Sequence, residues 1–332
     1  MRILILGGTE FLGRHLVDAA LGSGHEVTLM NRGQTNPDLY PNVEKLRGDR
    51  DGHLHALRGR KWDAVMDTSG YVPRVVRQSV ELLRDAVPYY AFVSSISVYA
   101  DFSQAGMDEN APVGTLEDET NENVPEHYGA LKALCEGEVR AGFGEGALIV
   151  RPGLIVGPHD PTDRFTYWVR RFSQGGQVLV PGRSDYPVQF IDVRDLAGWM
   201  MKMVESKVSG VMNATGPEKA LTMEEFIGGL EDVIPSSGNA QWVSEAFLQS
   251  QEVKEWTELP LWISDATGWQ GFTTINVSRA VAQGLTCRPL PETILDTLKW
   301  DRTRRQEGDL KAGLSRDREF ELRRKWEVWN AR

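Results

Sequence analysis

The feature that most constrains this chain is its start. Arg2-Ile3-Leu4-Ile5-Leu6 is a short apolar run with β-branched residues, stopped by Gly7 and Gly8. Phe11, Leu12, Leu16, Val17 and Ala20 then recur at helical spacing, and Gly22 and Gly24 close that helix. Glu26–Met30 follows as a second strand. Strand, glycine turn, helix and strand make a βαβ unit, the context that turns a glycine pattern into a nucleotide site. One residue is out of keeping: Glu10 stands where another glycine is expected.

The alternation continues. Val43–Leu46, Ala64–Asp67, Tyr90–Ser94 and Ala147–Arg151 read as strands, with Val72–Val87 and Tyr128–Ala141 as helices among them. This order predicts an α/β chain with a Rossmann-type, doubly wound parallel sheet. Ligands then sit outside the carboxyl ends of the strands, where Gly7, Asp67, Ser95 and Pro152 fall. A length of 332 residues suits one large α/β domain with an appended subdomain. The expected division is a dinucleotide-binding domain over 1–215, carrying a substrate-side loop from about 152 to 186, and a smaller, mostly helical substrate-binding subdomain over 216–332. Short strands such as Pro187–Ile191 interrupt the helices of the second half. Residues 100–126 are acidic and poor in apolar side chains, a long surface loop that is either a solvated excursion or a lid. Seven of the ten tryptophans lie at or after Trp242, so they either pack the subdomain or wall a site for an aromatic or sugar ligand.

Bulk properties remove several classes. A net charge of −10 disfavours general nucleic-acid binding, which needs a basic surface, but leaves room for a local basic pocket. Two cysteines, Cys135 and Cys287, without a CxxC, an HExxH or paired Cys/His spacing, give a zinc site no support, and no metal is expected. His53 and His55 lie beside Asp49 and Asp51 in a polar loop and read as solvated. The N-terminal apolar core of five residues is too short for a signal peptide, and no run reaches the ~18 residues of a membrane span. The expected setting is cytoplasmic. A small-molecule substrate is the expected partner, with no nucleic acid and no membrane, and a homodimer is allowed.

The chemistry is concentrated in the middle of the chain. The strand at Tyr90–Ser94 runs into Ser95-Ile96-Ser97-Val98-Tyr99, and a later helix opens with Tyr128-Gly129-Ala130-Leu131-Lys132. Tyr128 and Lys132 are four apart and share one helix face. An ammonium beside a phenol favours phenolate and lowers the tyrosine pKa. A phenol so tuned exchanges a proton with a substrate hydroxyl or carbonyl near neutral pH. Ser95 can donate a hydrogen bond to that same oxygen. Beside a nicotinamide ring, the three groups make a hydride-transfer site.

With these residues in this order, the sequence resembles the extended short-chain dehydrogenase/reductases, the group with NAD(P)-dependent nucleotide-sugar epimerases and dehydratases. The resemblance covers most of the chain. It is carried by "GGTEFLG" at 7–13, Gly48-Asp49, "SSISVY" at 94–99, "YGALK" at 128–132, "RPGLIVGP" at 151–158, "FIDVRDLA" at 190–197 and "NATG" at 213–216. It implies Tyr128 as catalytic acid/base, Lys132 as the group that tunes it and holds the nicotinamide ribose, and Ser95 as the third catalytic residue, four before Tyr99. Ser94 and Ser97 are its neighbours, with Ser97 carried as a substrate contact. The dinucleotide contacts implied are Gly7, Gly8, Thr9, Phe11, Leu12 and Gly13 of the turn, then Asn31, Arg32, Asp49, Thr68, Lys132 and Pro152. Asp49 falls at the adenine edge. The activity implied is that of an NAD(P)-dependent epimerase or reductase acting at a secondary alcohol or ketone of a polar, nucleotide-sugar-like substrate. The alternatives are a ketoreductase tailoring a non-sugar metabolite, and a non-catalytic dinucleotide- or RNA-binding relative. The "NRG" after the second strand and the missing glycine are also similar to chloroplast stem-loop RNA-binding relatives; the intact Ser95, Tyr128 and Lys132 and the acidic charge weigh against that alternative.

The departures from the family pattern refine this reading. In the G-x-x-G-x-x-G turn, here Gly7, Glu10 and Gly13, the middle position is where backbone approaches pyrophosphate. A carboxylate aimed there is repulsive, so Glu10 is expected to turn to solvent, or else to contact a ribose or a cation-bearing residue. The N–H groups of the helix start stay available either way. After the second strand stand Asn31 and Arg32 instead of an acid that holds a 2′-hydroxyl. An arginine suits a 2′-phosphate, which favours NADP over NAD; the other role for Arg32 is stacking on adenine. Ile96 and Ser97 occupy the place of the Asp-Glu pair of sugar dehydratases, which disfavours dehydration. In "GPHDPTDRFTYW" at 157–168, Arg164 either meets a substrate phosphate or is a helix-start surface arginine. Tyr167 or Trp168 is the stacking candidate there, with Tyr167 carried as a substrate contact, and His159 reads as structural.

Overall fold

The structure, a computed structural model, describes residues 1–304 and 310–331. The alternation of the first half forms β1 (Arg2–Leu6), α1 (Phe11–Gly22), β2 (Glu26–Asn31), β3 (Glu44–Arg47), β4 (Ala64–Asp67), α2 (Pro73–Leu83), β5 (Tyr90–Val93), α3 (Val124–Phe143) and β6 (Ala147–Pro152). The chain continues through β7 (Leu154–Val156), α4 (Arg164–Ser173), β8 (Gln177–Pro181), β9 (Pro187–Val188), β10 (Phe190–Asp192), α5 (Val193–Ser206) and β11 (Gly210–Ala214). β11 returns to pair with β6, so the main sheet reads β3-β2-β1-β4-β5-β6-β11, with every neighbouring pair parallel. The strand order reverses between β1 and β4, the point at which open α/β sheets bind ligands. Most of β1 and all of β4 and β5 are buried, which is why these strands are unbroken apolar runs and not alternating ones. Leu12, Leu16, Val17, Leu196 and Met200 of α1 and α5 cover one face; Val76, Val80, Leu83 and Val139 of α2 and α3 cover the other. This is the expected Rossmann-type fold.

Several boundaries differ from the sequence reading, each for a local reason. α2 ends at Leu83, and Ala86 and Val87 donate back to the Leu83 carbonyl as the chain unwinds towards Pro88. α3 begins at Val124 and bends at His127 (φ −119°, ψ 25°), so Tyr128 stands just past a kink rather than at a helix start. The 187–191 strand is split into β9 and β10 at Gln189, whose side-chain amide takes both backbone groups of Ile275. β11 carries Asn213 in a run of five and gives no strand signal of its own.

The second half adds β12 (Leu221–Thr222), α6 (Met223–Val233), β13 (Asn239–Val243), α7 (Glu245–Ser250), α8 (Ser278–Ala282), α9 (Leu290–Asp301) and α10 (Arg316–Asn330). Within the 216–332 segment, residues 305–309 and 332 lie outside the described residues. A separate core joins Phe165, Trp168 and Phe172 of α4 to Phe226, Phe247, Trp262 and Leu322. α10 is anchored to it by a buried ion pair: Arg171 Nε donates to Glu319 Oε2 at 2.6 Å, and Leu179 N–H to Oε1 at 3.0 Å. The late tryptophans differ in burial. Trp262 is 1 % exposed in this core, whereas Trp269 is 47 % exposed, stacked on Phe102 at 5.1 Å.

The 100–126 loop is not a free lid. Its first half is stitched to the 271–276 segment: Gly106 N–H donates to Thr274 O, Gly271 N–H to Phe102 O and Asn276 N–H to Met107 O. Glu109 pairs with Arg279 and accepts Asn213 N–H. Among the described residues, no helix is long and apolar enough to cross a membrane.

Candidate active site

An open cleft of about 670 Å³ runs over the carboxyl ends of β1, β2, β4, β5 and β6. Every residue expected to touch the dinucleotide lies along it, and so do Ser95 and Tyr128. At its centre the glycine turn is forced by backbone geometry. Gly7 (φ 111°) and Gly8 (φ 91°) are in the region that favours glycine, and a Cβ on Gly13 would lie 2.8 Å from Gly8 N. The start of α1 is thereby pressed against the turn, with its unpaired N–H groups at the cleft, a fit for the pyrophosphate of a dinucleotide. Gly13→Ala is expected to push α1 off the turn, at about 1–3 kcal/mol of stability together with weakened dinucleotide binding. A thermal midpoint and an affinity both equal to wild type would show that this close approach is dispensable.

The turn is braced from β2. Asn31 Nδ2 donates to Gly7 O at 2.9 Å, and its Oδ1 accepts from Gly33 N–H at 3.0 Å and Arg47 Nη1 at 2.6 Å. Arg32 is left exposed at the cleft edge. Thr68 Oγ1 donates to Leu6 O and packs against Gly7. Asp49 Oδ1 accepts Asp51 N–H, holding the loop after β3. The next residue, Arg50, lines the cleft and is missed by the sequence reading. Its guanidinium grips Asp67 in a bidentate pair at 2.6 and 2.8 Å, and Tyr90 donates to Asp67 Oδ2 at 2.7 Å. The available signal is Asp67 itself: a carboxylate at the end of a buried strand needs a cation.

Glu10 is exposed and is one of the residues that line the cleft, and after burial its charge is the largest influence raising the Tyr71 phenol pKa. Tyr71, also unforeseen, lies with its ring 6.4 Å from that of Tyr128.

At the catalytic end, Ser95 Oγ accepts Ser97 N–H at 3.1 Å and caps the short turn 96–98. Lys132 is buried, and its Nζ donates to Gly70 O and Val93 O, both at 2.6 Å. Burial lowers its pKa to about 8. The Phe92 ring centroid lies 4.2 Å from Nζ. Tyr128 departs from expectation. Burial raises its pKa, Tyr71 adds to the rise, and the opposing influence is a hydrogen bond with Ser95. The Lys132 ammonium is directed at two carbonyls instead of the phenol, so in this structure it does not give the predicted lowering. Ser94 has a structural partner: its Oγ donates to Glu136 Oε1 at 2.6 Å, and Glu136 is gripped by Arg151 at 2.7 and 2.9 Å.

The expected substrate residues do not line the cleft. Ser97 presents its carbonyl to Gly129, where α3 packs on the 96–98 turn. Tyr167 is 3 % exposed, packed on Trp168 and Gly313 in the second core, because it sits on the inward face of α4. It is therefore a core residue and no substrate contact. Arg164, at the start of α4, is half-buried with its guanidinium 5.7 Å from the Trp256 ring centroid, and burial lowers its pKa. Asp160 nearby keeps Oδ2 buried without a partner among the described residues, and burial raises its carboxyl to about 6. His159 is structural as expected: it contacts Arg14 at 3.2 Å and the Trp300 ring. Among the described residues, no group of three His, Cys, Asp or Glu side chains is placed to hold a metal.

Residues 3–215 match the model of the NAD dependent epimerase/dehydratase family. The chain belongs to that family. It is thus an NAD(P)-dependent enzyme of the extended short-chain dehydrogenase/reductase type, as its motifs imply. It is 25 % identical over 246 residues to the epimerase family protein SDR39U1 of Bos taurus, a match spanning 69 % of this chain and 79 % of that one. It is also 25 % identical over 243 residues to the chloroplast stem-loop binding protein of 41 kDa b of Arabidopsis thaliana, across 67 % of this chain and 60 % of that protein. A putative epimerase from Burkholderia cenocepacia shares the fold with a TM-score of 0.68 at 16 % identity, covering 91 % of this chain and 98 % of that one. A UDP-glucuronic acid 4-epimerase from Bacillus cereus, solved with NAD, has a TM-score of 0.66 at 16 % identity, covering 90 % and 96 %.

Proposed function

We propose that this family member transfers hydride at a secondary alcohol or ketone of a polar, nucleotide-sugar-like small molecule. The observation that carries this reading is the meeting of Ser95, Tyr128 and Lys132 in the same cleft as the glycine turn. The dinucleotide, when bound, supplies the hydride acceptor or donor. Tyr128 exchanges a proton with the reacting substrate oxygen, and Ser95 donates a hydrogen bond to that oxygen. Lys132 holds the ribose. The carboxylates along the cleft are Glu10, Asp49 and Asp51, at the turn and the end of β3, with none beside Ser95. That placement supports epimerisation or ketone reduction over dehydration. Arg164 is assigned to an anionic group of the substrate, since Pro161 of its own loop lines the cleft and no carboxylate pairs with its guanidinium among the described residues. The test is a panel of UDP-sugars and small ketones, read by nicotinamide absorbance and by NMR for inverted product. Dinucleotide binding with neither signal on any compound would sink the reading. A ketoreductase acting on a less polar substrate is favoured by one observation, the exposed ring of Trp269 stacked on the buried Phe102.

The cofactor we assign is NADP, although related folds have been solved with NAD. Arg32 stands exposed at the cleft edge with Arg47 close behind it, and no acid follows β2. Arg32→Asp is expected to shift the affinity ratio from NADP towards NAD by about 1.5–3 kcal/mol, the worth of one charge-assisted contact. An unchanged ratio in titrations of both cofactors would show that Arg32 does not read the 2′ position.

A further inference from the structure

Glu10 is the residue of this cleft that the hydride-transfer reading leaves without a task. It occupies the N-cap of α1 with extended backbone (φ −132°, ψ 141°) and makes no capping hydrogen bond. Glu10 is exposed and is one of the residues that line the cleft. Among the described residues it forms no ion pair: Arg14 is engaged with His159, Arg47 with Asn31 and Arg50 with Asp67, while Arg32 is exposed at the cleft edge. The charge of Glu10 is felt at Tyr71, another residue that lines the cleft. The helix start attracts pyrophosphate through its N–H groups and dipole, and a carboxylate at the same place opposes that attraction.

We propose that Glu10 keeps the dinucleotide exchangeable, so that it enters and leaves at each turnover as co-substrate of a net oxidation or reduction. This rests on the cleft being the dinucleotide site. In the oxidative direction the substrate carbinol loses its hydride to the nicotinamide ring and its hydroxyl proton through Tyr128 to water, and becomes a ketone. The two electrons depart with the exchanged cofactor. An epimerase that returns the same hydride to the same substrate gains nothing from a repulsive charge at the pyrophosphate. A net oxidoreductase needs release. A like charge beside the pyrophosphate, partly screened by water, would weaken binding roughly 5- to 50-fold.

The experiment measures NADPH and NADP affinity by calorimetry for the wild type, Glu10→Gln and Glu10→Gly, at low and high salt. It also determines the nucleotide released from freshly purified wild type. Glu10→Gln keeps shape and removes only charge; Glu10→Gly restores the family turn. The expected result is wild type purified largely free of dinucleotide, with both variants binding roughly 5- to 50-fold more tightly at low salt. The gap should narrow at high salt, because the repulsion is screened. Measurable but equal affinities in all three proteins, or wild type carrying stoichiometric dinucleotide that survives dialysis, would overturn the proposal. No binding by any of the three at millimolar cofactor is a different failure: it removes the cleft as the dinucleotide site, and this inference with it.

Discussion

Tyr128→Phe should lower turnover by roughly 10²–10⁴ while dinucleotide affinity stays at the wild-type level. The substitution keeps the ring and its packing against Tyr71 and removes the hydroxyl alone. The phenol's surroundings make that hydroxyl a poor acid in this structure, because burial raises its pKa and its hydrogen bond with Ser95 opposes the rise only in part. The Lys132 ammonium, four residues along the same helix, is directed at Gly70 O and Val93 O, and burial lowers its pKa to about 8. Burial thus moves the phenol up and the amine down, which leaves the phenol protonated near neutral pH, as a proton donor to the reacting oxygen requires. The binding anchors, the glycine turn and the loop after β3, do not involve Tyr128. Steady-state kinetics on a true substrate, with cofactor titration in parallel, separate the two effects. Equal turnover by the variant would remove the short-chain dehydrogenase mechanism and leave only the fold.

The largest effect on stability is expected one layer beneath the cleft. Glu136 on α3 and Arg151 on β6 form a bidentate pair that is almost fully buried, and Ser94 donates to the same carboxylate. Arg151 Nη1 also donates to the Tyr99 hydroxyl at 3.2 Å, and Tyr99 donates to Asn213 Oδ1 on β11. The network therefore ties β5, β6, β11 and α3 together directly behind Ser95. Glu136→Ala removes the carboxylate and leaves a buried guanidinium with no counter-charge in this network, at a cost of about 3–5 kcal/mol. Removing both partners, with Glu136→Leu and Arg151→Met, should recover much of that loss, since the attraction in such pairs largely offsets their desolvation. Urea denaturation of the single and double variants measures this. A loss of under about 1 kcal/mol for Glu136→Ala would mean that water reaches the guanidinium.

Much of this architecture is legible from the chain alone. The β1–α1–β2 unit is written in local terms, a buried strand as an apolar run and a glycine wherever φ must be positive, as at Gly7 and Gly8. The spacing of Tyr128 and Lys132 likewise follows from helix geometry and needs no tertiary contact. Such features depend on residues close in sequence, so periodicity and residue type suffice to find them.

What only the tertiary structure decides is where long side chains go once distant segments meet. Tyr167 sits three residues after Arg164, yet the packing of α4 turns it into a core while Arg164 stays half-exposed over Trp256. Lys132 is aimed at Gly70 and Val93 because the ends of β4 and β5 bring those carbonyls beside α3, a meeting that no spacing within α3 predicts. The loop at 100–126 is composed like a free excursion but is held by backbone bonds to residues about 170 positions later. Glu10 shows the same limit at the cleft itself. Its sequence position marks it as an unexpected charge, but only the fold shows that it lines the same cleft as Tyr71 and Tyr128. Backbone preferences are local and additive, whereas the direction of a charge or a ring is set by what the fold packs against it.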